Sequence, residues 1–433
     1  MDTNMLATII LIGGFFLLMM IRVPVTFAML ISTLASAVVS GTNLSAMVNQ
    51  MVQGANNFSL LAIPFFILMG EIMSEGGLSE KIVDVANLAV GRFRGGLAYV
   101  NVLDSMFFGG ISGSAVADVS SLGSIVIPMM KKQGYQSEFS VGLTVVTACQ
   151  GVLIPPSHNM VIFALAAGGS VTVGNMLIAG LMPGIALGAG LMLLCFFLSS
   201  HYKFPKGEAG AFKGRIGSVL LQAVAPMMIF VIIMGGVGLG IFTATESSAI
   251  AAVYTFLITY LLFRSAKLRN FGQVLKRSLK TLAIVMTLIA TAKAFAYMMT
   301  DLRIPDKITM ALLNVTESKV LLLLLINAML LILGAFMDMA PLIMIMTPIL
   351  LPVVTSPAIG MHPVHFGVML IFNLAVGLCT PPVGSALYVG CAVGKTTLEA
   401  TSKAMLPMYA AMVVVLMFVT FIPAISLWLP GLL

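Results

Sequence analysis

Apolar runs follow one another along nearly the whole chain, separated by short stretches of glycine, proline, serine and an occasional charge. In the first part they lie near 5–21, 24–40, 58–73, 96–108, 139–154, 160–170, 175–199, 216–239 and 244–263. Further runs lie near 281–299, 319–335, 340–352, 364–379, 384–394 and 406–428. Because a spanning helix needs roughly 20 apolar residues, this pattern predicts on the order of a dozen membrane segments. Two stretches differ. Residues 77–94 and 301–316 interleave charges (Glu80, Lys81, Asp84, Arg92, Arg94; Asp301, Arg303, Asp306, Lys307) with apolar positions. That alternation predicts amphipathic helices lying along the membrane surface. A third kind of stretch is Phe108–Met130, where glycine and serine crowd the first half and Asp118 sits inside it. Irregular backbone is not tolerated against lipid, so this stretch must pack against protein or line a wet cavity. We expect a hairpin forming half of a solute site.

Composition narrows the class. Of 433 residues, 60% are hydrophobic and 9% charged, with a mean hydropathy of +1.10. Soluble domains carry about 25% charged residues, so little of this chain is left for a separate soluble domain. The net charge of +7 fits Lys/Arg-rich loops on the cytoplasmic side and not a nucleic-acid partner. Cys149, Cys195, Cys379 and Cys391 all lie in apolar runs without metal-type spacing and read as small core residues. The start of the chain lacks a basic region and a cleavage site, so its first run is expected to be a retained span.

An internal repeat organises the segments. Gly151-Val152-Leu153-Ile154-Pro155-Pro156 matches Gly377-Leu378-Cys379-Thr380-Pro381-Pro382 at a shift of 226. At that shift Lys81-Ile82 falls on Lys307-Ile308. The hairpin positions Gly110 and Pro128 match Gly334 and Pro352 at a shift of 224. Equivalent loops differ in their basic residues. The loop holding Arg264, Lys267, Arg269, Lys276, Arg277 and Lys280 has an uncharged counterpart at 41–57, whereas Lys131-Lys132 has its uncharged counterpart at 353–365. Segment 201–215, with Lys203, Lys206, Lys213 and Arg215 against Glu208, also reads as cytoplasmic. Biases of opposite sense are the mark of inverted repeats with one hairpin entering from each side.

Interrupted segments in corresponding positions of two halves point to a transporter site near the midplane. Each Pro-Pro pair removes two backbone donors and frees carbonyls of the preceding turn, at Gly151, Leu153 and Ile154 and at Gly377, Cys379 and Thr380. Free carbonyls and hydroxyls are hard oxygen ligands suited to Na+. Ser112 and Ser114 add hydroxyls at the first hairpin tip; Gly334, Asp338 and Thr347 are the polar positions of the second. Asp118 and Asp338 are read as cation ligands or hairpin caps. Lys293, inside an apolar run, is a candidate to meet an anionic substrate or to pair with a carboxylate such as Glu71, against snorkelling to the interface. Ser157 and His158 follow the first break and, with Asp118, are candidates to touch substrate, against a packing role for His158. Asp104 is expected to satisfy backbone before the first hairpin, and Glu246 to be a helix N-terminal acid. Gly113-Ser114 and Ser157-His158 superficially offer the nucleophile and base of an intramembrane hydrolase, but no paired catalytic arrangement recurs. No nucleotide-binding GxxxxGK[ST] loop is present. The expectation is a transporter, not an enzyme.

GGISGSAVAD, the following IPMM, GVLIPPS, GAFMD…TPILLP and GLCTPPVG, with FILMGEIM and IRVPVTFAM, closely resemble the large membrane subunit of tripartite ATP-independent periplasmic (TRAP) transporters over essentially the whole chain. The resemblance implies an all-α polytopic, inverted-repeat elevator of the ion-transporter superfamily, with two re-entrant hairpins and two broken helices. Scaffold helices would cover 1–76 and 171–300, arm helices 77–95 and 301–318, transport halves 96–170 and 319–394, and a C-terminal helix 395–433. It implies import, across the bacterial inner membrane with Na+, of a carboxylate or sugar acid such as sialic acid, delivered by a periplasmic substrate-binding protein. A separate small four-helix membrane subunit is a further implied partner, since the repeat begins within the first thirty residues. A stand-alone Na+/dicarboxylate symporter of related fold is the alternative. By matching motif, Ser112, Ser114, Gly151, Ile154 and Pro156 would form one Na+ site. Gly334, Asp338, Cys379, Thr380 and Pro381 would contribute to the other. Many relatives carry Asn where this chain has Cys379, which a backbone-carbonyl role tolerates.

Overall fold

The computed structural model describes residues 3–202, 204–205, 216–316 and 318–432; the side chains at 110–112, 201 and 312–315 are outside that description. The charged segment with Lys203, Lys206, Glu208, Lys213 and Arg215 therefore lies outside the described residues. Within them the chain is helical throughout, without strands. Ten helices form the first part: α1 (Thr3–Met20), α2 (Val25–Ser40), α3 (Leu44–Ala55), α4 (Ala62–Glu75), α5 (Leu78–Val90), α6 (Gly96–Ser112), α7 (Ala115–Lys132), α8 (Ser137–Gly151), α9 (His158–Ala166) and α10 (Val173–His201). Eight more repeat the pattern: α11 (Ile216–Gly238), α12 (Ala244–Phe256), α13 (Phe271–Asp301), α14 (Ile304–Val315), α15 (Lys319–Phe336), α16 (Met339–Thr355), α17 (Pro363–Leu378) and α18 (Ser385–Gly394). Then α19 (Leu398–Ala404), α20 (Leu406–Phe421) and α21 (Pro423–Leu427) complete the chain.

Local chemistry explains the ends. Thr243 and Glu246 form a reciprocal capping box at α12, so Glu246 is the N-terminal acid expected of it. Ser114 and Asp338 are the N-caps of α7 and α16. Among the described residues, seven helices are long and apolar enough to cross a membrane, or eight if the bent pair α19–α20 is one span. That is fewer than the run count suggests. Helices α2, α16, α17 and α18 are apolar but too short. The uncharged 41–57 loop also holds a helix, α3. The two arm predictions become α5 and α14. On α5, Leu78, Ile82, Val83 and Ala86 are buried while Glu80 and Asp84 are not, as amphipathic patterning requires.

Packing repeats as the sequence does. Helix α2 lies on α13 as α12 lies on α4, and α6 packs along α8 as α15 packs along α17. The hairpins interlock: α7 packs on α18 of the other repeat, and α16 on α9. Buried amides mark equivalent places. Asn101 Nδ2 donates to Thr144 Oγ1 at 2.7 Å, and Asn101 Oδ1 accepts from Thr147 Oγ1 at 3.0 Å. At a shift of 226, Asn373 Nδ2 donates to Asn327 Oδ1 at 2.9 Å. Both pairs hold the first hairpin helix to the helix before the break. Helix α10 packs on α6, α9, α17 and α20, so it sits with the hairpins and not with α1–α4. All four cysteines are buried and free, as expected of core residues.

Candidate functional site

One close backbone contact anchors each hairpin to its break. A Cβ at Gly109 would lie 2.3 Å from Gly151 Cα, and one at Gly377 would lie 2.5 Å from Gly334 C. Only glycine lets these helices approach so closely. The contact also corrects the repeat register. The mate of Gly334 is Gly109, not Gly110, at a shift of 225. The first tip then has one more residue before its cap, which Gly113 absorbs with φ +64.

The tips are tied to the breaks as well. Asn159 Nδ2 donates to Gly113 O at 3.4 Å, and Val383 N donates to Ala335 O at 3.0 Å. Both Pro155-Pro156 and Pro381-Pro382 peptide bonds are cis. At the second break the Cys379 carbonyl accepts Tyr409 Oη of α20 at 2.6 Å, so it is partly engaged. The Cys379 thiol and the Thr380 hydroxyl both donate to Val376 O, at 3.0 and 2.7 Å. Ile154 turns its side chain toward Gly184 of α10 and Pro381 is half-buried. The Pro156 carbonyl faces Gly113, 3.4 Å from where its Cβ would be.

A cavity of about 500 Å³ lies between the hairpins and the helices around them. Phe108, Ser114, Ser121, His158, Asp338 and Pro341 line one wall; Thr26, Glu71, Ser74, Thr281 and Val285 line the other. Helices α7, α9 and α16 all begin at this cavity. Ser114 Oγ accepts Ala117 N at 3.4 Å, and Asp338 Oδ1 accepts Met339 N at 3.0 Å. Helix N-termini favour an anion, while the carboxylate of Asp338 favours a cation. The cavity thus offers both signs of field within one space.

Of the predicted site residues, Ser114, His158 and Asp338 meet on this cavity. Gly151 and Asp118 lie behind it: Asp118 is 1% exposed, and its Oδ2 is 2.7 Å from a Cβ built at Gly109. Ser157 is the N-cap residue of α9, with a buried hydroxyl that has no partner. Thr347 is buried likewise, without a partner for its hydroxyl. The side chain of Ser112 lies outside the described residues. Lys293 is not on the cavity. Its stem packs against Gly54 of α3, where a Cβ would meet Lys293 Cγ at 2.6 Å. Glu71 pairs instead with Arg277, at 2.9 Å, and Glu75 pairs with the same guanidinium at 2.8 Å. A long side chain lying along a neighbouring helix does so through its methylenes, so Lys293→Met is expected to leave uptake within about two-fold of the unmutated rate. A loss of ten-fold or more in a vesicle uptake assay would return Lys293 to the substrate path, since ten-fold is about 1.4 kcal/mol.

Thr26, Ser74, Ser121 and Thr281 were missed in the sequence. They are single hydroxyls in apolar helices, a pattern shared with packing positions. The Asn101/Asn327 pair was findable, because it obeys the 226 shift of the Pro-Pro breaks.

The profile of the family described as "Tripartite ATP-independent periplasmic transporter, DctM component" matches residues 12–425. The C4-dicarboxylate TRAP transporter large permease protein DctM of Pseudomonas aeruginosa is 38% identical over 382 residues, 88% of each chain. The sialic acid TRAP transporter large permease protein SiaM of Vibrio cholerae is 33% identical over 97% of this chain and 98% of its own. In fold, the chain is similar to the YdaH transporter of Alcanivorax borkumensis, with a TM-score of 0.62 over 90% of this chain and 88% of that one at 12% identity.

Proposed function

The chain belongs to the tripartite ATP-independent periplasmic transporter family as its DctM component, and on that premise we propose that it imports an organic acid together with Na+. It is a multi-pass membrane permease and not an enzyme. The substrate class we infer is a carboxylate or sugar acid, in line with relatives named for C4-dicarboxylates, sialic acid and 2,3-diketo-L-gulonate. A periplasmic binding protein hands it over, and a small membrane subunit accompanies this chain in the inner membrane. A related permease named for isethionate, DctMQ, is matched by this chain over 66% of its length.

One observation carries the proposal. Three helix N-termini and the Asp338 carboxylate converge on a single cavity between two sets of helices. The N-termini suit the substrate carboxylate. The oxygens of the tips and breaks suit Na+: Ser112, Ser114, Gly151, Ile154 and Pro156 in one half, Gly334, Asp338, Cys379, Thr380 and Pro381 in the other. Helices α6–α9 and α15–α18 then move as one body past α1–α4 and α11–α13, with α5 and α14 as arms. In this reading α10 and α20 travel with that body, which their packing on α6, α9 and α17 supports.

Proteoliposomes holding the chain with both partners test this. Replacing external Na+ by K+ is expected to reduce substrate uptake to the background of empty vesicles. Equal uptake with K+ on both sides would remove Na+ from the mechanism.

A further inference from the structure

Asp104 stands in the middle of α6, wholly buried, and neither carboxylate oxygen has a hydrogen-bond partner among the described residues. It therefore does not satisfy backbone ahead of the hairpin, as its position in the sequence suggested. Its surroundings are tightly arranged. Three residues before it, Asn101 makes the amide contact to α8; one residue after it, Ser105 Oγ donates to Thr147 Oγ1 at 3.0 Å. One turn on along the same face, Phe108 lines the 500 Å³ cavity. Asp118 on α7 is a second buried carboxylate turned toward α6, its Oδ2 2.7 Å from a Cβ built at Gly109.

The other repeat supplies the comparison. Asn327 makes the equivalent amide contact in α15, and three residues on from it stands Leu330, also fully buried. Packing at this place is thus met by a leucine. The carboxylate of Asp104 is an addition to the fold, not a requirement of it. An ionised carboxylate inside protein at membrane depth is not sustained alone; it takes a counter-charge. No Lys, Arg or His forms an ion pair with it among the described residues.

We propose that Asp104 binds a monovalent cation, Na+ or H+, inside the first hairpin at a position separate from the two tips. The hairpin then carries a cation, neutralised by that carboxylate, which its partner hairpin, with leucine at that place, does not. This goes beyond the Na+ reading of the tips and does not depend on it.

The test uses the purified full-length chain. Radioactive sodium bound at saturation is counted for the unmutated protein, D104N and D104L, and each is titrated potentiometrically above the ordinary carboxylate range. If the cation is Na+, both variants bind one Na+ fewer. If it is H+, the Na+ counts agree and the unmutated protein releases one proton more than either variant. Equal Na+ and equal proton counts would overturn the proposal, even if the tips bind no Na+ at all. An unfolded D104L, judged by size-exclusion profile and thermal midpoint, would overturn it too, because the carboxylate would then be part of the packing.

Discussion

Gly377→Ala is expected to stop transport and to lower the thermal midpoint of the purified protein. The added methyl would sit 2.5 Å from Gly334 C and 2.7 Å from its oxygen. Those atoms are backbone in the middle of a hairpin, so no side chain can rotate away. Overpacking of a tight core costs typically about 1–3 kcal/mol, and an obstacle made of backbone belongs at the upper end. The damage reaches function because the same contact sets α15 and the second tip against the second break. Gly151→Ala is the mate of this change, its methyl falling 2.6 Å from Gly109 Cα and 2.9 Å from Asp118 Oδ2. Gly235→Ala in α11 is the control. Nothing lies within 4 Å of its Cβ, and alanine in an open helix interior gains roughly 0.5–1 kcal/mol over glycine. Midpoints measured by differential scanning fluorimetry should rank Gly235→Ala at or above the unmutated protein and both others below it. A Gly377→Ala protein with the unmutated midpoint and uptake rate would show that the hairpins are not seated by this contact.

The second large effect is expected at Asp338. Its carboxylate does two things: it caps α16 and it lines the cavity. Asn is as good an N-cap as Asp, while Ala loses about 1 kcal/mol of helix stability. D338N therefore keeps the hairpin and removes the charge; D338A removes both. Hydrogen-bonded or ligating charges are worth about 1.5–3 kcal/mol, or about ten- to a hundred-fold in affinity. D338N should fold like the unmutated protein and raise the Na+ concentration for half-maximal uptake by that factor. D338A should do the same with a lower thermal midpoint. If D338N keeps the unmutated Na+ dependence, the carboxylate is a cap and nothing more.

The features that could be read from the sequence share one property: they break a pattern. Pro155-Pro156 and Pro381-Pro382 interrupt apolar runs, and glycines mark where backbone meets backbone. Charges alternate along α5 and α14 because one face is wet. Each has its physical cause in the local chain, so it is visible locally. The register at the first tip was displaced by one residue because Gly109 and Gly110 are equivalent in sequence, and only contact with Gly151 distinguishes them. The cavity wall formed by α2, α4 and α13 was not legible. Thr26, Ser74 and Thr281 are chosen by the helix they face, which no spacing reveals. Glu71 was read only as a carboxylate for Lys293 to pair with, and its actual partner, Arg277, was not legible. Arg277 lies 206 residues away and reaches it through the packing of α4 on α13. The packing of Lys293 on Gly54 was not legible for the complementary reason: an apolar context says that a lysine is costly, not which neighbour its stem covers.

The interlock of the two hairpins also bears on how the protein is made. Helix α7 ends at Lys132, but its partner α18 begins at Ser385; α9 ends at Ala166, and its partner α16 begins at Met339. The ribosome must therefore deliver more than a hundred and fifty further residues before either surface is covered. Amide contacts within each repeat, such as Asn101 with Thr144, can form early because their partners emerge soon after. The broken ends cannot, and contacts between distant parts of a chain are the slow ones. A nascent first half thus carries uncovered faces on its hairpin and on α2 and α4, whose partners α13 and α12 are also still to come, and membrane insertases or quality-control proteases would meet it in that state. Truncation between α14 and α16 should be more harmful than its distance from the first hairpin suggests, since it orphans helices that were translated long before.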